Sequence, residues 1–242
     1  MSRKKHIYKR PPEEYPKVKV KKRLIPQDLP NRIGTQKTSY IVIHEVSLGT
    51  GRSPKEYNME RYAKKIVEDG EKGSKIGYHY LVGDTEVFQF IEDNVATSHT
   101  GTVFGNHNSI GVERVICEGV NYEYATHNQA KLIATLMLIH GIPLENVITH
   151  KQMQIRFGDE KKKANPKQCP GRLLGGFRGN VEDFKTEIKR CFIYGWFFEE
   201  LLDQKTIDQI PDIQKKSKER FLVKKEKGKK VIGLENLDEL WR

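Results

Sequence analysis

The sequence predicts an α/β domain in which a mixed central β-sheet is flanked by helices. Three observations support this fold class. Residues 40–46 carry β-branched side chains on both faces, which is typical of a buried central strand. Apolar runs at 78–82 and 87–91 are joined by the short turn Gly83-Asp84-Thr85-Glu86, as in a β-hairpin. Strand-like and helix-like runs then alternate along the chain, and this order indicates a sheet covered by helices.

The first 35 residues are predicted to form a basic, Pro-rich, extended arm that is partly ordered near Leu24-Ile25-Pro26, where it approaches the domain. Residues 1–40 hold 12 Lys or Arg against 3 Asp or Glu, in a chain of formal charge +11. The five prolines of this stretch exclude a long helix. A basic arm attracts polyanions such as nucleic acid, an anionic membrane surface or an anionic wall polymer. A solvated tail that aids solubility is the alternative.

Two helices of the domain have recognisable starts. Ser53-Pro54-Lys55-Glu56 combines a hydroxyl cap, a proline at the first helical position and a glutamate three residues after the cap. This helix is expected to run to about Gly70. Thr126-His127-Asn128-Gln129 repeats the capping pattern, so the most apolar helix of the chain is predicted to begin there and to end at Gly141.

The second half of the domain is predicted from shorter runs. Residues 109–116 and 147–150 are apolar enough to form strands. Residues 151–165 are charged and are expected to form a mobile loop. A last helix of the domain is predicted to start near Asn180.

Residues 193–242 are predicted to form a C-terminal extension or a small accessory module, which would suit wall binding. Phe221-Leu222-Val223 and Val231-Ile232-Gly233 flank the charged turn from 224 to 230, which resembles a small hairpin. Three cysteines are an odd number and argue against a disulfide framework. The N-terminus lacks the apolar segment of a secretory signal, and no window is long and apolar enough to span a membrane.

Two histidines and one cysteine are the candidates for a metal site. His44 and His150 each end an apolar run, so two strands would deliver imidazoles to one sheet edge, and Cys169 lies in a polar loop beside Pro170 and Gly171. Three protein ligands leave the fourth position of a tetrahedral zinc open to water, as in catalytic sites. For each residue alone, the alternative is a hydrogen-bonded histidine or a small buried cysteine.

Six short pieces of the sequence, taken in order, carry a family resemblance. They are Tyr40-Ile41-Val42-Ile43-His44, Gly77-Tyr78-His79-Tyr80, Ser98-His99-Thr100-Gly101, Asn106-His107-Asn108-Ser109-Ile110-Gly111-Val112-Glu113, Thr149-His150 and Lys167-Gln168-Cys169-Pro170-Gly171. In this order they resemble the zinc-dependent N-acetylmuramoyl-L-alanine amidases of the phage lysozyme and peptidoglycan-recognition (type 2 amidase) family. The pieces cover roughly residues 36–192, which are therefore expected to form a catalytic domain with the amidase or peptidoglycan-recognition-like fold.

The resemblance implies an enzyme that hydrolyses the amide bond between N-acetylmuramic acid and L-alanine in peptidoglycan. It implies one zinc ion, Zn2+, per chain, held by His44, His150 and Cys169. Glu113 is expected to act as general base. Lys167 is expected to stabilise the oxyanion and to favour the thiolate of Cys169; the alternative is a solvated loop lysine.

Three further residues are expected to assist. Tyr78 is assigned a supporting hydrogen bond, because relatives carry either this tyrosine or a glutamate at the position of Glu113, and this chain has both. His99 and Asn108 match positions that line the sugar-peptide groove in relatives. Two structural alternatives stay open: Glu113 in a salt bridge with Arg114, and Tyr78 as a core aromatic residue.

The expected partner is peptidoglycan, with anionic wall polymers bound through the arm and no specific nucleic acid. The resemblance suggests a phage or prophage endolysin that is made in the cytoplasm without a signal peptide and acts on the bacterial cell wall after holin-type release. A non-catalytic recognition protein with the same groove is the alternative, although such relatives typically lack the metal cysteine. A nucleic-acid binder with a structural zinc would need a fourth ligand, and no second Cys or His lies close to Cys169 in the sequence.

Overall fold

The computed structural model describes Tyr15 and residues 17–46, 59–117, 119–176, 179–221, 225–226 and 229–230. A six-stranded mixed sheet with helices around it confirms the predicted fold class. The predicted helix start at Ser53 to Glu56 lies outside the described residues, and so do residues 1–14 of the predicted arm.

The sheet is mixed because one hairpin is inserted among parallel strands. Its strands lie in the order β1-β4-β3-β5-β2-β6. The pair β3 and β4 is antiparallel, as the predicted hairpin requires, and the other neighbouring pairs are parallel. The strands are β1 (Val20–Lys22), β2 (Tyr40–Val46), β3 (Tyr80–Val82), β4 (Val87–Gln89), β5 (Ser109–Val115) and β6 (Val147–Thr149).

The helices cover the sheet and extend beyond it. They are α1 (Met59–Glu71), α2 (Val103–Asn108), α3 (Tyr122–His140), α4 (His150–Phe157), α5 (Glu160–Ala164), α6 (Gly171–Leu174), α7 (Val181–Tyr194) and α8 (Gln204–Phe221). α3 and α7 pack on each other and on the main core cluster, and α8 packs on α7. Across the described part of the chain, no helix is both long enough and apolar enough to cross a bilayer.

The register of β2 and β5 gives the sheet two chemically different faces. Parallel pairing sets His44 opposite Glu113, and Glu45 opposite Arg114. Paired residues point to the same side of a sheet and successive residues alternate. We call the side that carries His44 and Glu113 the site face. The side that carries Glu45 and Arg114 is the helix face, because the Arg114 guanidinium contacts α3 there.

The segment predicted to be an extended arm is ordered near Ile25, as expected, and this order extends over residues 17–35. Val20–Lys22 forms β1, an edge strand that pairs with β4. Ile25 is 2% exposed and belongs to the second core cluster, together with Phe88 and Phe90. Burial of this apolar side chain and the pairing of backbone groups along β4 hold residues 17–35 against the domain, despite their basic composition.

The helix predicted from Thr126 begins one turn earlier. Asn121 is its cap, since its side-chain oxygen accepts hydrogen bonds from the backbone N–H groups of Glu123 and Tyr124. Thr126 instead lies inside the helix and donates its hydroxyl hydrogen to the carbonyl of Tyr122 at 2.6 Å. The predicted end at Gly141 is correct, because this residue adopts the left-handed conformation, with φ 63°, that closes a helix.

The stretch predicted as a mobile loop contains two helices. α4 begins at His150 itself, so β6 ends one residue before the histidine. Thr149 and Gln152 form a capping box, in which the Gln152 N–H donates to the Thr149 hydroxyl at 3.1 Å and the Gln152 side chain accepts from the Thr149 N–H at 2.8 Å. α5 is capped by the side chain of Asp159.

The C-terminal region also differs from its prediction in detail. α7 starts after the capping residue Asn180, as predicted, and ends at Tyr194. Residues 204–221 form α8, which contains Pro211. The small hairpin pairs residues 225–226 with 229–230, inside the stretch predicted to be its turn. The flanking apolar runs from 222 and from 231 lie outside the described residues, apart from Phe221 at the end of α8.

Candidate metal centre and active site

The three candidate ligands lie on a strand, at the start of a helix and in a loop. His44 lies near the end of β2, His150 is the first residue of α4, and Cys169 precedes α6. The loop of Cys169 is tied to α4, because the Lys151 N–H donates to the Cys169 carbonyl at 3.1 Å. All three side chains are buried, with exposures of 1%, 4% and 5% respectively.

Two of the three separations between the donor atoms match those around one tetrahedral zinc ion. One donor atom from each of His44, His150 and Cys169 lies within 4.8 Å of the other two. The two Nδ1 atoms are 3.2 Å apart, and the Cys169 Sγ lies 3.7 Å from the His44 Nδ1. Zinc–nitrogen lengths of about 2.0–2.1 Å and a zinc–sulfur length of about 2.3 Å require tetrahedral separations of about 3.3 Å and about 3.6 Å. The separations of His44 from His150 and from Cys169 therefore match a zinc site, and His150 and Cys169 lie within 4.8 Å of each other.

Burial keeps the two imidazoles neutral, which is the form that binds metal. It lowers the pKa of His44 well below the ordinary value, with the neighbouring His99 and His150 acting in the same direction. It also lowers the pKa of His150 to about 4, and the positive charge of Lys167 adds to this effect. Neither ring therefore carries a charge near neutral pH that would repel a cation.

The Cys169 thiol behaves differently from the sequence expectation. Burial, and then the Glu113 carboxyl, raise its pKa to about 12. The Lys167 ammonium lowers the pKa, which is the predicted direction, but burial has the larger effect. In the metal-free protein the thiol is therefore protonated, and its proton must leave when a metal binds.

Glu113 lies beside the three donors, with Oε1 3.7 Å from the His44 Nδ1. Its Oε2 is buried and has no hydrogen-bond partner among the described residues. Burial raises the pKa of this carboxyl to about 8, and the positive charge of Lys167 opposes that shift. A buried carboxyl with a raised pKa and an unpaired oxygen, next to three candidate metal donors, is a candidate for a general base.

The alternative of a Glu113–Arg114 salt bridge is not what the structure contains. Arg114 points to the helix face, where its guanidinium pairs with the Glu45 carboxylate. It also donates to the Tyr122 hydroxyl at 2.8 Å and to the Thr126 hydroxyl at 2.7 Å. Strand alternation separates the two neighbours, so Glu113 is left facing the metal donors.

Gln154 is a residue of the site that sequence reasoning missed. Its side-chain oxygen accepts from the Lys167 N–H at 2.8 Å, and its nitrogen lies 3.0 Å from the His150 Nε2 and 2.9 Å from the Thr100 carbonyl. The side chain thus joins the loop of Lys167 to His150 and to the 98–102 loop. Its position four residues after His150 would have pointed to it, had residues 150–157 been recognised as a helix.

The remaining predicted residues are His99, Asn108 and Tyr78, and they have different contacts. His99 is 8% exposed, and its Nδ1 is 3.0 Å from the His44 Nε2, so it touches a candidate ligand directly. Asn108 ends α2 and donates to the Phe104 carbonyl at 2.8 Å. Tyr78 packs in the second core cluster, with its ring edge against Phe90. The assigned groove role of Asn108 and the supporting role of Tyr78 stay predictions.

Comparison with known proteins decides the family. A family model described as N-acetylmuramoyl-L-alanine amidase matches residues 34–172, which is more than half of the chain. The chain belongs to the N-acetylmuramoyl-L-alanine amidase family. This confirms the resemblance found in the sequence, and the match spans all three candidate ligands as well as Glu113 and Lys167.

Individual relatives agree with the family. The N-acetylmuramoyl-L-alanine amidase CwlH of Bacillus subtilis (strain 168) is 32% identical over 163 residues, which cover 65% of this chain and 57% of CwlH. The amidase XlyA of the same strain is 33% identical over 155 residues, which cover 62% of this chain and 46% of XlyA. The chain therefore spans about half of the length of these relatives. The solved catalytic domain of XlyA superposes with a TM-score of 0.56 at 28% identity, over 71% of this chain and 99% of that domain.

Proposed function

We propose that this protein hydrolyses the amide bond between N-acetylmuramic acid and L-alanine in peptidoglycan, with one zinc ion held by His44, His150 and Cys169. The observation that carries the proposal is the spacing of the three donors, 3.2 Å and 3.7 Å where measured between single atoms, in a domain of the amidase family. The unpaired Glu113 carboxyl oxygen beside them supports a hydrolytic reaction rather than a structural metal site.

When bound at this site, zinc supplies a Lewis acid for the scissile carbonyl and lowers the pKa of a coordinated water to about 7. The side chains around it have separate tasks. Glu113 accepts a proton from the attacking water at its buried carboxyl. It is in the proton-accepting, ionised form when a cation is present among the donors, since a nearby opposite charge stabilises a carboxylate.

The bond changes follow from these positions. The water oxygen forms a bond to the carbonyl carbon, and the carbonyl oxygen gains negative charge. In the proposed reaction the Lys167 ammonium, whose charge acts on Glu113, His150 and Cys169, stabilises that oxygen. The carbon–nitrogen bond then breaks, and Glu113 returns its proton to the nitrogen of the departing L-alanine.

The proposed setting is the bacterial cell wall, reached as by an endolysin. Both relatives named above carry amidase names, which supports peptidoglycan as the substrate. The basic residues before β1 and along α5, including Lys161, Lys162 and Lys163, would add a sequence-independent attraction to anionic wall polymers. Synthesis in the cytoplasm followed by holin-type release belongs to the same proposal.

Digestion of purified Gram-positive peptidoglycan tests the reaction. Newly exposed N-terminal alanine and new reducing sugar are measured side by side, with and without a zinc chelator. We expect new alanine amino groups without new reducing ends, suppressed by the chelator and restored by zinc. Reducing ends instead of amino groups would indicate a glycosidase. If neither product forms while the protein still binds zinc and sediments with the wall, the protein is a recognition protein.

A further inference from the structure

His99 uses both nitrogens of its ring inside the site. Its Nε2 lies 3.2 Å from the backbone carbonyl oxygen of Ser109, and its Nδ1 lies 3.0 Å from the His44 Nε2. These contacts form a continuous line from the backbone of β5, through His99, to the ring of His44. The other nitrogen of His44, Nδ1, is the atom that faces His150 and Cys169.

The hydrogen positions along this line follow from the chemistry of its first member. A backbone carbonyl only accepts hydrogen bonds, and the Ser109 hydroxyl, 3.4 Å from the same nitrogen, donates its hydrogen to the Gly105 carbonyl at 2.6 Å. The His99 Nε2 therefore carries the hydrogen and donates it to the Ser109 carbonyl. In the neutral His99 ring, Nδ1 is then an acceptor, and the His44 Nε2 must be the donor. The His44 Nδ1 is left without a hydrogen and presents its lone pair to the other two donors.

The backbone of His99 is fixed, and two further contacts hold its ring. Its backbone N–H donates to the Asn106 side-chain oxygen at 3.2 Å. Gly111 lies under the ring, where an added Cβ would be 2.7 Å from the His99 Nδ1. The edge of His79 packs against the ring, and the Gly111 N–H fixes His79 by donating to its Nδ1 at 3.0 Å. The contact with Gly111 shows that the ring occupies space that a side chain on β5 would otherwise fill.

We propose that His99 is a positioning residue that holds His44 in the tautomer whose Nδ1 binds the metal. The inference rests on the proposed zinc site and gives His99 a role different from the groove-lining role expected from the sequence. A ligand histidine whose second nitrogen is fixed in this way neither has to move a hydrogen nor has to rotate before metal binds.

One test is the tautomer itself, measured on the full chain without metal. Long-range ¹H–¹⁵N correlation spectra distinguish a hydrogen on Nδ1 from one on Nε2, with the His44 signals assigned through a His44→Gln variant. We expect the Nε2–H form for His44 and for His99. A His44 ring with its hydrogen on Nδ1 overturns the proposal, and this result needs no folded variant of His99.

The second test compares zinc affinity between variants in a competition with a chromophoric chelator. His99→Phe keeps a planar ring but removes both hydrogen bonds, and we expect it to weaken zinc binding by roughly 10- to 100-fold. His99→Gln retains one donor and one acceptor and is expected to recover part of that loss. His127→Phe is the matched control, because His127 is a buried histidine, 4% exposed, hydrogen-bonded to Glu187 at 2.8 Å away from the donor cluster.

The outcomes separate this inference from the proposed function. If the unaltered protein binds no zinc, the proposed function fails. If it binds zinc and His99→Phe binds zinc equally well, only the role of His99 fails. A loss of affinity of the same size in His127→Phe would show a general effect of removing a buried histidine, and would also overturn the proposal.

Discussion

Both faces of the sheet bury ionisable side chains from adjacent residues of the same strands, but the two faces differ in whether these side chains have a partner of opposite charge. On the helix face, the two terminal nitrogens of the Arg114 guanidinium have a carboxylate and two hydroxyl groups as partners, and only its Nε has none among the described residues. On the site face, the Glu113 carboxyl has a buried oxygen with no partner among the described residues. A single step along β5 thus separates a paired charge that supports the fold from a carboxyl left available for chemistry.

The two faces show how β2 and β5 both support the fold and supply residues to the candidate site. Glu45 links the faces, since its second carboxylate oxygen accepts from the Arg172 N–H at 2.7 Å, just after Cys169. The helix-face ion pair therefore anchors the loop that presents the third candidate ligand. A buried charge that is paired with an opposite charge gives rigidity, whereas the carboxyl without a counter-charge partner gains a raised pKa and reactivity.

The largest expected effect comes from removing the thiol of the site face. Cys169→Ala should abolish zinc binding and peptidoglycan hydrolysis together, because two imidazoles alone hold zinc weakly. Zinc content after dialysis and release of N-terminal alanine measure both. Cys191→Ala is the control, since Cys191 is fully buried in the main core cluster and should cost stability while keeping the metal. Full activity in Cys169→Ala would remove the basis of the proposed function.

Glu113→Gln should separate chemistry from metal binding. The amide keeps the size of the side chain but cannot accept a proton, so we expect the rate of hydrolysis to fall roughly 10²- to 10⁴-fold with zinc still bound. Rates of alanine release at saturating zinc, compared with zinc content, make the measurement. An unchanged rate would assign the base to another residue, with Tyr78 as the next candidate.

On the helix face, replacing a charged residue with an uncharged one should lower the free energy of unfolding. Arg114→Met leaves the Glu45 carboxylate buried without its cation, and we expect a loss of about 3–5 kcal/mol in the free energy of unfolding. Arg23→Met removes a pair of similar chemistry, with Glu60 at 3.1 Å, from a position where both side chains are about half exposed. That change should cost less than about 1 kcal/mol. Equal losses in urea unfolding would contradict the contrast between buried and exposed pairs.

The sequence predicted the parts of this arrangement that depend on local patterns. The β-branched run ending at His44 identified a central strand, and the apolar run at 109–116 identified a second strand that carries Glu113. The structure pairs these two strands. Cys169 was recognisable because a polar loop with Pro and Gly is an unusual environment for a core cysteine. These signals lie within a few residues of the group they identify.

Other features depend on contacts between distant parts of the chain, and no local pattern reveals them. His99 meets His44 across 55 positions of sequence, so its hydrogen bond follows from the folded geometry. Edge strand β1 was hidden by its basic composition, because pairing with β4 requires backbone groups and not a particular side chain. The helix that begins at His150 is different, because the spacing of Thr149 and Gln152 in the sequence is that of a capping box and predicts a helix start there.

The smallest expected effect is a pH dependence of the free energy of unfolding in the metal-free protein, which arises from Glu113 on the site face. Burial raises the pKa of Glu113 from 4.5 to about 8, so between these values the folded protein holds a proton that the unfolded chain releases. The free energy of unfolding therefore decreases as pH rises through this window. Glu113→Gln has no such proton, and its stability should fall less between pH 5 and pH 8, by up to a few kcal/mol.

Urea unfolding of both proteins at the two pH values, with a chelator present, measures this difference. The buried histidines shift stability in the opposite direction, since their lowered pKa values make the folded state lose stability as the pH falls, but they are common to both proteins and cancel in the comparison. Adding zinc should reduce the difference, because a nearby cation stabilises the Glu113 carboxylate in the folded state. Identical pH dependence in the two metal-free proteins would mean that Glu113 is already ionised, and the contrast between a paired and an unpaired face would lose its electrostatic basis.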